Sequence, residues 1–285
     1  MVQKEITKNS YHQRISNVID YIHHNLDHDL SLDKLAEISC FAPYHFHRIY
    51  QSIVGETVMR SIRRFRLQNA AKDLVKSNLP WERIARKAGY DNIDSFTRKF
   101  REDFAITPNA YRKRAKLIFK ESNQQEMENK NMYDVKIENI EKLTLAAIDH
   151  EGDYMKISSK FEKLLAYLAH KELLTPETRS FGVYYGDPNT IPEAELRSKA
   201  CFTVSDDFKG EGDVKRFEIE PTKYGVITHK GSYAELEAAY RWLYKTWLVN
   251  SVYEVGDAPP LEEYLNDPRE VAPSELLTKI YIPIK

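Results

Sequence analysis

Side chains that can hydrogen-bond the edges of DNA bases recur along one face of a helix predicted over residues 43–54. They lie three and four positions apart, which makes them neighbours on a helix surface. They are Tyr44, His47, Arg48 and Gln51. The opposite face is apolar and can pack against a core. Arg, Gln and His can read the major groove, but an isolated polar helix face is more often only solvated.

The elements around this helix give the reading face a structural context. Ser31 can cap a short preceding helix, and Pro43 suits the first position of the reading helix, where its missing N–H costs nothing. Ala42, which stands at the cap position, caps poorly. A short helix, a tight turn and a second helix are therefore predicted over residues 31–54.

The same pattern returns about fifty residues later in the chain. Residues 81–88 repeat the first helix, Gly89 to Asn92 repeat the turn, and residues 93–104 repeat the second helix with three phenylalanines facing inward. The outer face of this last helix carries Ser95, Thr97 and Arg98. Between the units, residues 57–76 form one long helix rich in arginine. Such a rod could hold two reading helices about one DNA turn apart, roughly 34 Å.

Residues 10–115 resemble the AraC/XylS family of transcriptional regulators. The stretch GYDNIDSFTRKFREDFAITPNAYRK resembles the family's signature around its second helix-turn-helix, and LDKLAEISCFAPYHFHRIYQSIVGET resembles the first. The resemblance implies two recognition helices in successive major grooves of promoter DNA, with RNA polymerase as a further partner. By position, the residues facing DNA would be Tyr44, His47 and Arg48, then Ile93, Ser95, Thr97 and Arg98. Ile93 stands where the family commonly has a polar residue, so the second helix is expected either to contact a thymine methyl or to add affinity alone.

Composition and charge agree with two domains in a soluble, cytoplasmic protein. Residues 1–120 hold 22 Lys and Arg against 13 Asp and Glu, and the remaining residues hold 20 against 30. An excess of cations in one half is expected where that half meets a polyanion. The two cysteines lack metal-site spacing, the start lacks a signal peptide's apolar core, and no apolar run reaches the roughly 20 residues of a membrane span. We expect no cofactor, no bound metal, and either a monomer or a homodimer.

The second half contains an internal repeat. His150-x-Gly152-x-Tyr154 returns 79 residues later as His229-x-Gly231-x-Tyr233. Each motif follows a predicted strand and precedes a predicted helix and two more strands. The expected fold is therefore multidomain: an all-α domain with two helix-turn-helix units at residues 1–119, a polar linker at 120–132, and an α+β domain at 133–285 built from two pseudo-symmetric βαββ copies.

This half resembles the GyrI-like small-molecule binding domain, most closely in PLEEYLNDP and LLTKIYIPI. The resemblance implies a cleft with aromatic walls and one acidic group, at the position of Glu262. Glu262 and Glu263 alternate faces on a strand, so only one can point into a cleft, and Glu262 shares its face with Tyr264. The other expected wall residues are Tyr154, Tyr184, Tyr233 and Trp247. A lipophilic or cationic effector fits such a cleft. Two alternatives stay open: a hydrolase using Glu262 as a general base, and a protein-interaction module.

Overall fold

The computed structural model describes residues 2–121 and 132–285, so most of the predicted linker at 120–132 lies outside the described residues. The part before residue 122 is all helical. Its helices are α1 Val2–His24, α2 Leu32–Ile38, α3 Pro43–Val54, α4 Val58–Lys76, α5 Trp81–Lys87, α6 Ile93–Phe104 and α7 Pro108–Glu121.

The helices form two helix-turn-helix units, each with its own apolar core. Phe46 and Tyr50 of α3 pack with α1, α2 and the start of α4 in the first unit. Phe96 and Phe100 of α6 pack with α5, α7 and the end of α4 in the second. Helix α4 therefore belongs to both cores, as a rod joining the units must.

Local side chains determine where the recognition helices begin. Asn92 accepts a hydrogen bond from the backbone N–H of Ser95 at 2.8 Å and so caps α6. Ala42 precedes α3 in the same extended conformation but makes no side-chain cap. Gly55 ends α3 with a φ of 86°, a conformation that glycine adopts without the strain of a Cβ.

The second half is one antiparallel sheet with helices packed on it. Its strands are β1 Lys136–Ile140, β2 Leu143–Glu151, β3 Ser180–Tyr184, β4 Arg197–Thr203, β5 Gly210–Glu211, β6 Val214–Ile219, β7 Thr222–Lys230, β8 Leu261–Tyr264 and β9 Leu277–Pro283. Helix α8, Ser158–His170, follows β2, and α9, Leu236–Trp242, follows β7 and continues as a π-helical turn over Leu243–Trp247. The prediction of two βαββ copies is confirmed.

Sheet order reveals the relation between the copies. The strands run β1-β7-β9-β8-β3-β4-β2-β6-β5, so the two copies meet at β8 and β3. Gly182 of β3 pairs with Glu262 of β8, and these positions correspond when the copies are aligned on Tyr184 and Tyr264. The pseudo-two-fold axis therefore passes between Gly182 and Glu262.

The copies also exchange strands. β1 precedes the first copy in the chain but pairs with β7 of the second, and β6 precedes the second copy but pairs with β2 of the first. Each copy thus completes the sheet of the other, and the domain must fold as one unit.

Candidate functional site

The face of α3 predicted to read DNA lies open to solvent. The Tyr44 side chain is 64% exposed, and the Arg48 guanidinium lies 4.7 Å from the centre of its ring. Gln51 is exposed one turn further along, and His47 is half-buried. Phe46 and Tyr50 are buried on the opposite side, which fixes the rotation of the helix. A flexible guanidinium held over an aromatic ring can reach a base edge without first breaking a buried contact.

The outer face of α6 offers fewer hydrogen-bonding groups. Arg98 is exposed, Ser95 and Thr97 are half-buried, and Ile93 at the start of the helix is 37% exposed. The exposed isoleucine presents an apolar surface at the helix N-terminus, where recognition helices commonly contact bases.

A cavity of about 1330 Å³ lies between the sheet of the second half and helix α4 of the first. The structure brings five of the six residues expected in an effector site to its wall: Tyr154, Tyr184, Tyr233, Glu262 and Tyr264. It adds aromatic rings that the sequence argument missed, Phe161 of α8 and Tyr240 and Tyr244 of α9 and its continuation. Helical spacing in α9 held a signal for Tyr240 and Tyr244, because residues four apart share a face.

Trp247 is the sixth expected residue, and placing it in the cavity wall was wrong. Its indole packs over the backbone of Gly225 in β7, where an added Cβ would come within 2.5 Å of the ring, and it stacks with Tyr253. The π-helical turn at Leu243–Trp247 has more residues per turn than an α-helix, so Trp247 leaves the stripe that Tyr240 and Tyr244 follow.

Glu262 lies at the floor of the cavity with its side chain almost fully buried. The Tyr264 hydroxyl donates a hydrogen bond to its Oε2 at 2.8 Å, and the Tyr184 and Tyr264 hydroxyls are 2.6 Å apart. Burial raises the pKa of Glu262 to about 7, against the lowering effect of the hydroxyls of Tyr264, Tyr240 and Tyr184. The carboxyl therefore changes charge near neutral pH, and its partners are phenols rather than cations.

Gly182 makes room for this arrangement. A Cβ at this position would lie 2.6 Å from a ring carbon of Tyr184 and 2.8 Å from its hydroxyl. The bare backbone opposite Glu262 lets the Tyr184 ring lie flat against the sheet and bring its hydroxyl to Tyr264. Glycine at this position is thus part of the site.

The neighbouring Glu263 points to the other face of the sheet. There it accepts a hydrogen bond from Arg179 at 2.7 Å and from the Tyr281 hydroxyl at 2.6 Å. This pairing lowers the pKa of Glu263 despite its burial, which raises it. Two adjacent carboxyls are therefore placed in opposite electrostatic environments by strand alternation alone.

Helix α4 forms the roof of the cavity through four side chains spaced four residues apart: Arg64, Gln68, Lys72 and Lys76. The three cations pair with acids of the second half. Arg64 contacts Glu162 at 2.8 Å as well as Glu56 at 2.6 Å, Lys76 contacts Glu237 at 3.0 Å, and Lys72 contacts Asp153. The rod that joins the two helix-turn-helix units is therefore also a wall of the cavity.

The repeated motif joins the cavity to the second helix-turn-helix unit. Tyr154 and Tyr233 line the cavity, while the residues that follow them, Met155 and Ala234, pack against the core of the second unit. Arg114 of α7 forms an ion pair with Glu235 beside this contact. Within the described residues, no three His, Cys, Asp or Glu side chains gather closely enough to bind a metal ion, and no helix is long and apolar enough to cross a membrane.

Comparison with known families identifies both halves. The GyrI-like small molecule binding domain matches residues 133–285, and a helix-turn-helix domain family matches residues 35–114. The chain is an AraC/XylS-family regulator with a GyrI-like domain. As such a regulator it binds DNA and carries a small-molecule binding domain.

Relatives of this AraC/XylS-family regulator match one part of the chain. The HTH-type transcriptional activator AarP of Providencia stuartii is 38% identical over 98 residues, which are 34% of this chain and 73% of that protein. The transposon Tn10 TetD protein of Escherichia coli is 34% identical over 113 residues, 39% of this chain and 82% of that protein. Among solved structures, the EcmrR–DNA complex covers 90% of this chain and 85% of its own, with 16% identity and a TM-score of 0.48.

Proposed function

We propose that this regulator binds a lipophilic cation in the cavity between α4 and the sheet, and thereby changes transcription from specific promoters. The observation that carries the proposal is the buried Glu262 carboxyl beneath a group of tyrosine rings. Aromatic faces and a carboxylate attract cations, and the apolar lining favours a hydrophobic body. The cavity is large enough for a ligand of drug size.

A pair of ions with the same shape and opposite charge tests this proposal. Isothermal titration calorimetry of the full chain at pH 8 should show binding of tetraphenylphosphonium and much weaker binding of tetraphenylborate. Glu262→Gln should lower phosphonium affinity by about tenfold to a hundredfold, the value of a hydrogen bond or contact to a charged group. Calorimetry is preferable to tryptophan fluorescence, because Trp247 packs outside the cavity.

The control is Glu263→Gln, which removes the adjacent carboxyl on the other face of the sheet. It should leave phosphonium affinity within about twofold of the wild type, since its charge is already paired with Arg179. Equal binding of the two ions, or unchanged affinity in Glu262→Gln, would contradict a cation site.

We further propose that the first recognition helix carries most of the sequence specificity. Tyr44, His47, Arg48 and Gln51 offer hydrogen-bonding groups on an accessible face, whereas Ile93 begins the second helix with an apolar group. Ser95, Thr97 and Arg98 then contribute chiefly to affinity. Selection of bound sequences from a random duplex pool should recover one well-defined half-site and one degenerate half-site.

Promoter DNA and RNA polymerase are the partners that fit this proposal, and the cytoplasm is the compartment where they meet. AarP is named a transcriptional activator, and activation acts through polymerase. Two recognition helices in one chain allow a monomer to occupy two successive grooves. Sedimentation of the protein with a selected duplex would distinguish one bound copy from two.

A hydrolase is the second candidate, because a carboxyl with a pKa of about 7 suits a general base at neutral pH. Hydrolysis of a reactive aryl ester by the full chain, lost in Glu262→Gln, would favour it. Binding of the phosphonium probe without turnover of esters favours the regulator. Binding of neither probe, with DNA binding intact, would favour a protein-interaction module.

A further inference from the structure

The loop from β8 to β9, residues 265–276, runs from the cavity to the DNA-binding half. It starts directly after Tyr264, and its residues Asn266 to Arg269 line the cavity. Asn266 closes the loop: its side chain donates to the Glu275 carbonyl at 2.9 Å and accepts from the Leu277 N–H at 3.0 Å. The loop is thus a compact extension of the strand that carries Glu262.

Arg269 in this loop contacts the first recognition helix. Its guanidinium donates a hydrogen bond to the backbone carbonyl of Val54, the last residue of α3, at 2.7 Å. A carbonyl at the C-terminal end of a helix has no partner within the helix and carries partial negative charge. A cation placed there holds the end of the helix opposite to its DNA-reading half.

Arg269 is held at both its side chain and its backbone. Asp267 accepts from Arg269 Nε, with both carboxylate oxygens within 2.9 Å, and also accepts from the Arg269 backbone N–H at 2.8 Å. Arg60 of α4 donates to the Arg269 carbonyl at 2.7 Å. Arg269 therefore has little freedom, and a displacement of the loop would be transmitted to the end of α3.

The pseudo-symmetric loop of the first copy provides an internal comparison. Asp187 and Pro188 match Asp267 and Pro268, and Asn189 stands where the second copy has Arg269. The Asn189 backbone N–H donates to Asp187 at 2.9 Å, so both loops make the same turn. The turn itself does not require arginine, and the longer side chain at 269 is what reaches α3.

The same loop also meets the second recognition helix, because its turn at Pro273–Glu275 lies against α6. One loop therefore adjoins the cavity, the end of α3 and the side of α6. We propose that Arg269 is a positioning residue through which the effector domain sets the orientation of the first recognition helix on DNA. This inference rests on the proposed sequence-specific DNA binding and adds a residue outside the DNA-reading face to it.

The test compares Arg269→Asn, which copies the residue of the first loop, with Arg269→Lys and with the control Asn189→Ala. For each full-length protein, dissociation constants are measured at one salt concentration for a duplex selected by the wild type and for a random duplex. Arg269→Asn should reduce the preference for the selected duplex by about tenfold, the lower end of the value of a hydrogen bond to a charged group, because this bond acts only through the orientation of α3. Its affinity for the random duplex should stay within about twofold, since phosphate contacts carry that binding.

Arg269→Lys keeps a cation near the Val54 carbonyl and should therefore retain part of the preference for the selected duplex. Asn189→Ala should show the same preference as the wild type. Hydrogen exchange of the amides at residues 55–58 should be faster in Arg269→Asn while α6 is unchanged, which shows that the variant is folded. An unchanged preference in Arg269→Asn, an equal loss on both duplexes, or a lysine variant no better than the asparagine variant would overturn the inference and leave the proposed function standing. If the wild type itself showed no preference for any duplex, both this inference and the proposed sequence-specific DNA binding would be contradicted.

Discussion

Replacing Glu262 by glutamine should stabilise the protein at alkaline pH while weakening its cation site. The glutamate has an ordinary pKa of 4.5 and a pKa of about 7 in the folded chain, because burial disfavours its charge. A carboxyl whose folded pKa is raised favours folding below its unfolded pKa, and this contribution is lost as the pH rises through the folded value. Ionising Glu262 in the folded state therefore costs about 3 kcal/mol once the pH exceeds 7.

Glutamine has the shape of the protonated glutamate and never ionises. The difference in unfolding free energy between Glu262→Gln and the wild type should thus be near zero at pH 4.5 and grow to about 3 kcal/mol in favour of the variant at pH 8. Urea unfolding of both full-length proteins across this range, followed by tyrosine signals in the near-ultraviolet circular dichroism, measures that difference.

The same titration should govern the phosphonium probe. Wild-type affinity should be constant above pH 7 and should fall by about tenfold per pH unit below it until it reaches the affinity of Glu262→Gln, because the cation selects the ionised carboxyl. Glu262→Gln should show weak binding with no such dependence. A constant stability difference from pH 4.5 to 8 would refute the reasoning, since it would mean that Glu262 keeps one charge state throughout.

Three further predictions concern single positions. Arg48→Ala should weaken binding to a selected duplex by about 1 to 3 kcal/mol and relax base preference, and an equal loss on random duplex would contradict a reading role. Asn92→Ala should lower the unfolding free energy by about 1 kcal/mol, whereas Ala42→Ser should raise it by about 0.5 to 1 kcal/mol, because of the two recognition helices α6 has a side-chain cap and α3 has none. Urea midpoints that move in the same direction in both variants would count against this. Gly182→Ala should cost about 1 to 3 kcal/mol in stability and reduce phosphonium affinity by displacing the Tyr184 ring, and a wild-type-like affinity would show that the ring does not contribute.

Much of the architecture could be predicted because its causes are local. The caps at Ser31 and Asn92 and the inward phenylalanines of α6 define the helices, and each follows from residues within one or two turns. The βαββ copies could be predicted from the repeated motif. The alternation of side chains along a strand was enough to predict that Glu262 and Glu263 lie on opposite faces of the sheet.

The remaining features depend on residues far apart in the chain. Trp247 lies outside the cavity wall, because the chain from Leu243 to Trp247 forms a π-helical turn, a change of helical phase that no local composition marks. The roof of the cavity could not be predicted because Arg64 and Glu162 are 98 residues apart and their pairing leaves no periodic pattern. The contact of Arg269 with Val54 spans 215 residues and is invisible for the same reason.

The pairing of Gly182 with Glu262 limits how such a site can be assembled. If the sheet were built from two identical chains, both central positions would have to hold the same residue. Two glutamates would bring their carboxyls together away from water, and mutual repulsion would keep one of them protonated. Two glycines would leave the floor without any negative charge. Fusing both halves into a single polypeptide frees the two positions to differ, so that one supplies the acid and the other supplies the space.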